Sequence, residues 1–253
     1  MDETRFYQPD FVADLLKKTR DEVVGACLVT RIPDKNSIEH YLMKNLSLLK
    51  PMEILKLIAK KYSMAFKDML SKSGCYGTFY SVRSALNHFK VDFIEVENDI
   101  NQEPHLNWII ERKPDVLISS NSLYFKKKLL QVPNLCCLNR HSSLLPAYGG
   151  LWPVFHAFRN GEKYVGISVH TMESKVDQGV VLAQEKIEIK NGMTLSDLYK
   201  ECFKKSSQVV LDALEKVRRN DLKSCVEEIS STYFSFPTKE HWMVFRERGG
   251  KFI

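Results

Sequence analysis

Asn139 and His141 stand two apart in the run Leu138-Asn139-Arg140-His141, and their types and spacing suggest chemistry. A strand alternates its faces with period two, so both side chains project to one side and Arg140 to the other. A third polar group, Asp177, lies in the polar connection Glu173 to Gly179. An amide, an imidazole and a carboxylate that met in space would suit acyl transfer to an amine. The amide donates to a developing oxyanion without ever ionising. The imidazole donates or accepts a proton near neutral pH. The carboxylate orients the imidazole or takes the proton itself. No nucleophile is required, and neither Ser142 nor Ser143 sits in a Gly-x-Ser-x-Gly elbow. Taken singly, each residue is more often structural. Asn139 would be a turn former at a strand end, His141 a hydrogen-bonded packing residue, and Asp177 a turn residue before x-Gly.

The elements that must position these groups alternate along the chain. Helical apolar spacing marks Phe11 to Lys18, and Val23 to Val29 is an apolar run of buried-strand type. Ser37 to Leu70 is long and helical in pattern, with Pro51 opening a second helix. A helix opening at Ser81 runs to Phe89, a strand covers Val91 to Val96, and a helix from His105 to Arg112 is broken by Pro114. Strand Val116 to Ser119, short helix Lys126 to Leu130 and strand Leu135 to Leu138 follow. Trp152 to Arg159 reads as a helix stopped at Asn160-Gly161. Two strands, Val165 to Met172 and Val180 to Ile189, then flank the Asp177 connection, and Leu195 to Val217 is an amphipathic helix. The tail, Val226 to Ile253, offers one possible strand, a helix from Thr238 and a Gly-Gly break.

This order predicts an α/β fold: a Rossmann-like, mainly parallel sheet with helices on both faces. Ligands bind such sheets beyond the carboxyl ends of the strands. Asn139 and His141 lie at one such end, and Ser119-Ser120-Asn121-Ser122 at another.

At 253 residues, 44% of them apolar and 27% charged, the chain is of ordinary globular composition. No stretch approaches the roughly 18 to 20 apolar residues of a membrane span, and no signal-peptide pattern opens the chain. The six cysteines, 27, 75, 136, 137, 202 and 225, form no CxxC pair and read as reduced packing residues of a cytoplasmic protein. No zinc-ligand spacing occurs, so no metal is expected. The net charge of +6 is a solvated basic face or an attraction for an anionic ligand, too dispersed to argue for nucleic acid alone.

The runs LNRHSSLLPAYGG and GISVHTMESKVDQGVVLAQ resemble the folate-dependent formyltransferase family of methionyl-tRNA, glycinamide ribonucleotide and sugar N-formyltransferases. Asn139, His141, Ser143-Leu144-Leu145-Pro146 and Asp177-Gln178-Gly179 follow that family's motif in order, and the similarity runs from about Glu22 to Ile189. The resemblance implies a formyl group carried by N10-formyltetrahydrofolate. Asn139 and His141 would polarise the formyl oxygen and stabilise the tetrahedral intermediate, and Asp177 would fix the imidazole and help move protons. The pterin would sit against Ser120, Asn121, Ser122 and Leu123, beside Leu145, and against the loop Glu173, Ser174, Lys175 and Val176.

Three departures from the family shape the remaining expectations. The opening MDETRFYQPDF lacks the strand that usually precedes the first helix. Ala147-Tyr148-Gly149-Gly150 replaces the usual Arg-Gly or Pro-Gly pair. After Ile189 the chain is too short for the barrel domain of tRNA formyltransferases. The expected acceptor is therefore a nucleotide-linked amino sugar, with methionyl-tRNA or glycinamide ribonucleotide as the alternative. A non-catalytic folate or nucleotide binder is a further alternative. Residues 1-217 are expected to form the catalytic domain and 218-253 an extension packed on it. The helical insertion around Ile38 to Leu70 is extra packing, an acceptor wall or a subunit interface, and a homodimer is possible.

Overall fold

The computed structural model describes residues 6–70, 78–226 and 230–253. Helix α1 (Gln8–Lys18) has Pro9 and Asp10 in its first turn and Lys17 and Lys18 in its last, in line with the helix dipole. Strand β1 (Ala26–Arg31) follows. It begins three residues later than the apolar run, because Val23 and Val24 are exposed and pairing starts only where Ala26 meets Phe93. Helices α2 (Ile38–Lys44) and α3 (Pro51–Leu70) come next, α3 starting at the expected proline. Helix α4 (Val82–His88) is capped by Ser81, whose Oγ accepts from the Ser84 N–H. Strand β2 (Phe93–Glu97), helix α5 (Glu103–Glu111), strand β3 (Val116–Ser119) and helix α6 (Lys127–Leu130) lead to strand β4 (Cys136–His141). Beyond it lie β5 (Gly149–Gly150), α7 (Pro153–Asn160), β6 (Tyr164–Thr171), β7 (Val181–Glu188) and the long α8 (Leu195–Arg218). The tail adds β8 (Tyr233–Phe234) and α9 (Lys239–Glu247).

The α/β fold is as expected, with one difference in strand direction. Pairs β1–β2 and β3–β4 are parallel, but β6 and β7 continue the sheet antiparallel, in the order β3-β4-β6-β7. Strand β4 also runs through the motif to His141 instead of ending at Leu138, because β6 keeps pairing with it: Asn139 opposes His170 and His141 opposes Ser168. Among the described residues no strand joins β1 to β3, yet the two sheet pieces share their packing layers. Leu28, Leu138 and Ile167 lie in one apolar cluster with α1, α4, α7 and α8. Val29, Val96 and Cys137 lie in the other, with α5 and α6. Of the opening MDETRFYQPDF, where the family's first strand was sought, residues 1–5 lie outside the described residues, as does Cys75, and the chain is helical from Gln8.

The tail folds back onto this body. Gly149 N–H donates to the Thr232 carbonyl at 2.9 Å and Leu151 N–H to the Phe234 carbonyl at 2.8 Å, which makes β8 a strap over β5. Trp242 and Phe245 of α9 pack on Trp152 and Phe155. The Trp242 indole donates to the Tyr41 hydroxyl at 2.7 Å, which donates to the Pro237 carbonyl at 2.8 Å. Buried Glu53 of α3 receives the Arg246 guanidinium on both oxygens, together with the Phe252 and Lys50 N–H groups. A half-buried ion pair of this kind costs most when one partner is removed. Glu53→Ala should therefore destabilise the chain by about 3 kcal/mol or more, read as a lowered urea midpoint. A midpoint shift near zero would show that the pair does not hold the tail.

Candidate active site

Cross-strand neighbours in a sheet share a face. Ser119 of β3 is in register with Asn139 of β4, and Asn139 with His170 of β6. The three side chains thus form one polar rank across the end of the sheet, and His141 continues it two residues on. Arg140 points the other way, as the alternation predicted. Its guanidinium donates to Ser206 Oγ and Ser142 Oγ, both at 2.7 Å, and lies 4.0 Å from the Phe203 ring centroid.

Asp177 enters this rank from the connection between β6 and β7. Its Oδ1 lies 3.5 Å from Asn139 Nδ2 and 3.5 Å from His170 Nε2, and its Oδ2 lies 3.8 Å from His141 Nδ1. The Gly150 N–H donates to Oδ2 at 2.8 Å. The Asp-x-Gly spacing has a local cause. Asp177 takes a left-handed backbone (φ 56°), which a short polar side chain tolerates. Gly179 passes so close to Thr171 that a Cβ would sit 1.7 Å from its carbonyl oxygen. The three predicted catalytic side chains are therefore brought together, and His170 joins them unforeseen. Its signal was present in GISVHT, where Ser168 and His170 share the face opposite Ile167 and Val169.

Hydrogen bonds fix the imidazole tautomers. His141 Nε2 is 3.1 Å from the Tyr148 carbonyl, so it carries the proton, and Nδ1 presents its lone pair beside Asp177. His170 Nδ1 is 2.7 Å from the Thr171 carbonyl, so its Nε2 accepts from Asn139 Nδ2 at 3.2 Å. Burial pulls the His141 pKa below its ordinary value, with His170 and Arg140 adding to this, against the opposing pull of Asp177 and the Tyr148 carbonyl. Burial would raise the Asp177 pKa, but His141, His170 and the Gly150 N–H outweigh it and bring it down to about 2. At neutral pH the site thus holds a fixed anion beside a neutral imidazole.

The segments expected to hold a pterin flank this rank. Ser120 follows directly on Ser119, and its carbonyl accepts from the buried Gln8 side chain at 2.6 Å. Asn36 Nδ2 donates to the Ser122 carbonyl at 3.0 Å, and Asn121 Oδ1 accepts from Leu123 N–H at 2.8 Å. The Tyr124 hydroxyl donates to the Ser174 carbonyl at 3.3 Å, which links this segment to the exposed loop Glu173 to Val176. Leu123 is packed into the α5–α6 cluster. Leu145 is buried too, and its N–H and carbonyl are spent on Ser168 and Gln184. Among the described residues no group of three or more His, Cys, Asp or Glu is arranged to hold a metal. No helix among them is long and apolar enough to cross a membrane.

With this geometry, the family can be stated. The model of the Formyl transferase family matches residues 82–214, and the chain belongs to that family. The methionyl-tRNA formyltransferase of Borrelia turicatae is 35% identical over 133 residues, covering 52% of this chain and 43% of the relative. That of Thermotoga maritima is 30% identical over 165 residues, covering 64% of this chain and 52% of the relative. The chain thus spans about half the length of these curated relatives. Glycinamide ribonucleotide transformylase 1 of Symbiobacterium toebii shares the fold, with a TM-score of 0.56 at 16% identity, over 86% of this chain and 85% of that one.

The electrostatics are open to a direct test. The His141 ring should titrate below its ordinary value of 6.5 in NMR spectra, since burial lowers it. Asp177→Asn should move that titration lower still, because the carboxylate is what favours the imidazolium. An upward movement in the variant would contradict the arrangement.

Proposed function

We propose that the protein is an N-formyltransferase that moves a formyl group from N10-formyltetrahydrofolate to the primary amine of a nucleotide-linked amino sugar. The observation that carries the proposal is the convergence of the Asn139 amide, the His141 imidazole and the Asp177 carboxylate on one sheet end. When bound, the folate supplies an acyl carbon on a leaving nitrogen. The residues present fit such a group. Ser119 Oγ and Asn139 Oδ1, neighbours in register, are buried with no partner among the described residues, so this end of the sheet is short of polar contacts. Ser120, Asn121, Ser122 and Leu123 on one side and Glu173 to Val176 on the other would hold the pterin, with Leu145 beneath.

Each catalytic side chain then has a defined task. One N–H of Asn139 is held by His170 Nε2, and the other only by the 3.5 Å contact with Asp177, so the second can turn to a carbonyl oxygen. There it meets the charge that develops as the amine attacks. His141 Nδ1 is neutral and unprotonated at physiological pH, and takes the proton that the amine releases. Asp177, fixed as an anion 3.8 Å away, stabilises the imidazolium so formed, which would then give its proton to the leaving nitrogen as the C–N bond breaks.

The strap favours an acceptor with a planar base. The Tyr233 ring lies against Gly149-Gly150, where a Cβ on Gly150 would meet it at 3.0 Å, and it is 60% exposed. Its hydroxyl also feels the Asp177 charge, after burial the second cause that raises its pKa. An exposed aromatic face at the rim of the site is suited to stack on a nucleotide base. Methionyl-tRNA as acceptor is favoured instead by the activity named for the curated relatives. The proposed organisation is a catalytic domain of residues 1-217 with an extension of residues 218-253 packed on it. The implied compartment is the cytoplasm, and the free thiols of Cys136, Cys137, Cys202 and Cys225 support it.

The test is release of tetrahydrofolate from N10-formyltetrahydrofolate in the presence of amino-sugar nucleotides, methionyl-tRNA or glycinamide ribonucleotide. Turnover with a sugar nucleotide alone is the expected result, and folate binding without turnover on any amine would leave only a binder. Asn139→Ala and His141→Ala should each lower kcat by about a hundredfold or more. Tyr233→Ala should raise KM for the acceptor several-fold and leave kcat nearly unchanged. A Tyr233 variant with unaltered KM would remove the strap from acceptor recognition.

A further inference from the structure

Helix α3 carries an apolar stripe that stands exposed among the described residues. Met52, Leu55, Ala59, Tyr62, Phe66 and Met69 recur at alternating steps of three and four, the spacing of a coiled-coil seam. The five large members are 57% to 71% exposed. The helix is not loose on the body. Its opposite face is fixed by the Glu53–Arg246 pair, by Ile54 and Leu57 in the main cluster, and by Asp68, which accepts from Ser81 and Ser84. A firmly mounted helix of 20 residues therefore presents about 30 Å of seam to the outside.

From this stripe we infer that α3 is the interface of a homodimer, with two copies of the helix crossing antiparallel about a twofold axis between Lys60 and Lys61. The stripe is complementary to itself in that register. Met52 falls opposite the partner's Met69, Leu55 opposite the partner's Phe66, and small Ala59 opposite the partner's large Tyr62. An isologous contact needs this property, since each residue must suit its counterpart in both directions.

Charge placement agrees. The four lysines of α3 are engaged away from the seam. Lys56 reaches the Ile253 carbonyl, Lys60 lies near Ser196 Oγ and over the Tyr7 ring, Lys61 pairs with Glu39, and Lys67 lies over the Tyr80 ring. No like charges confront each other across the axis, and the cations that an anionic lipid surface would need are turned aside. The size also suits. With Ile58 and Leu70 at its rim, the face has seven large apolar side chains, and at roughly 100 Å² each they approach the ~800 Å² per partner of a stable interface.

The test is sedimentation velocity of the full chain over a micromolar concentration series. A dimer is expected for the wild type. Y62E/F66E should weaken it by about a hundredfold or more, with the circular dichroism spectrum and thermal midpoint preserved because both side chains are exposed. Under oxidation, L55C/F66C should give disulfide-linked dimers, whereas L55C alone and F66C alone should not. A monomer at every concentration overturns the inference, including a monomer that instead binds phosphatidylserine vesicles. So does a dimer indifferent to Y62E/F66E. Cross-linking by L55C alone as efficient as by the double variant overturns the antiparallel register.

Discussion

The Asp177 carboxylate is the group around which the rest is arranged. Its side chain is only 6% exposed, yet it stays ionised. A buried anion is tolerable only where donors surround it. Here they come from two separate places: a backbone N–H from β5 and an amide from β4. Neither of these lies near Asp177 in sequence, so the site exists only when sheet and connection are assembled together. The strap belongs to the same requirement. Gly150 can aim its N–H at the carboxylate because β8 holds β5 in place, and its φ of +90° with a Cβ site 2.1 Å from the Phe234 carbonyl leaves room for glycine alone.

Arg140 completes the electrostatic picture from the far side of β4. It is buried with two serines and an aromatic ring about it, and no carboxylate is among its ion pairs or hydrogen bonds. A cation held on one face of a strand and an anion on the other set up a field across the residues between them. That field opposes protonation of His141, adding to burial and His170. The neutral imidazole is therefore a product of two opposed influences. Asp177 alone would draw a proton onto the ring, and burial, with His170 and Arg140, keeps it off.

Much of this was legible in the sequence, for identifiable reasons. Period-two alternation placed Asn139 and His141 together and Arg140 opposite, and the resemblance to the family's Asp-x-Gly motif singled out the carboxylate. Caps and breakers located helices well: Ser81, Pro51 and the Asn160-Gly161 stop all act as read. Strand ends were less legible, because pairing decides them. Strand β4 reaches His141 only because β6 lies beside it antiparallel, and a single strand's pattern carries no information about its neighbour's direction. His170 escaped for the same reason. Its meaning comes from the cross-strand pair with Asn139, a relation between residues 31 apart in the chain. The use of backbone groups, such as the Gly150 N–H, leaves no side-chain signature beyond the glycine itself.

The insertion and the tail, which looked like additions to a family core, turn out to be mechanically continuous with the site. Glu53 on α3 fixes Arg246 and Phe252, and Tyr41 on α2 fixes Pro237 and Trp242. These contacts set the position of the segment that carries Tyr233 and Phe234 onto β5. The chemistry is thus held by the sheet, while the rim of the site is held by elements anchored elsewhere. The two are coupled through Gly150: a change in the strap or its anchors alters the rim of the site and also the N–H that Asp177 accepts. In such an arrangement, the tail bears on the site twice, through the Tyr233 ring at its rim and through the Gly150 N–H that steadies Asp177.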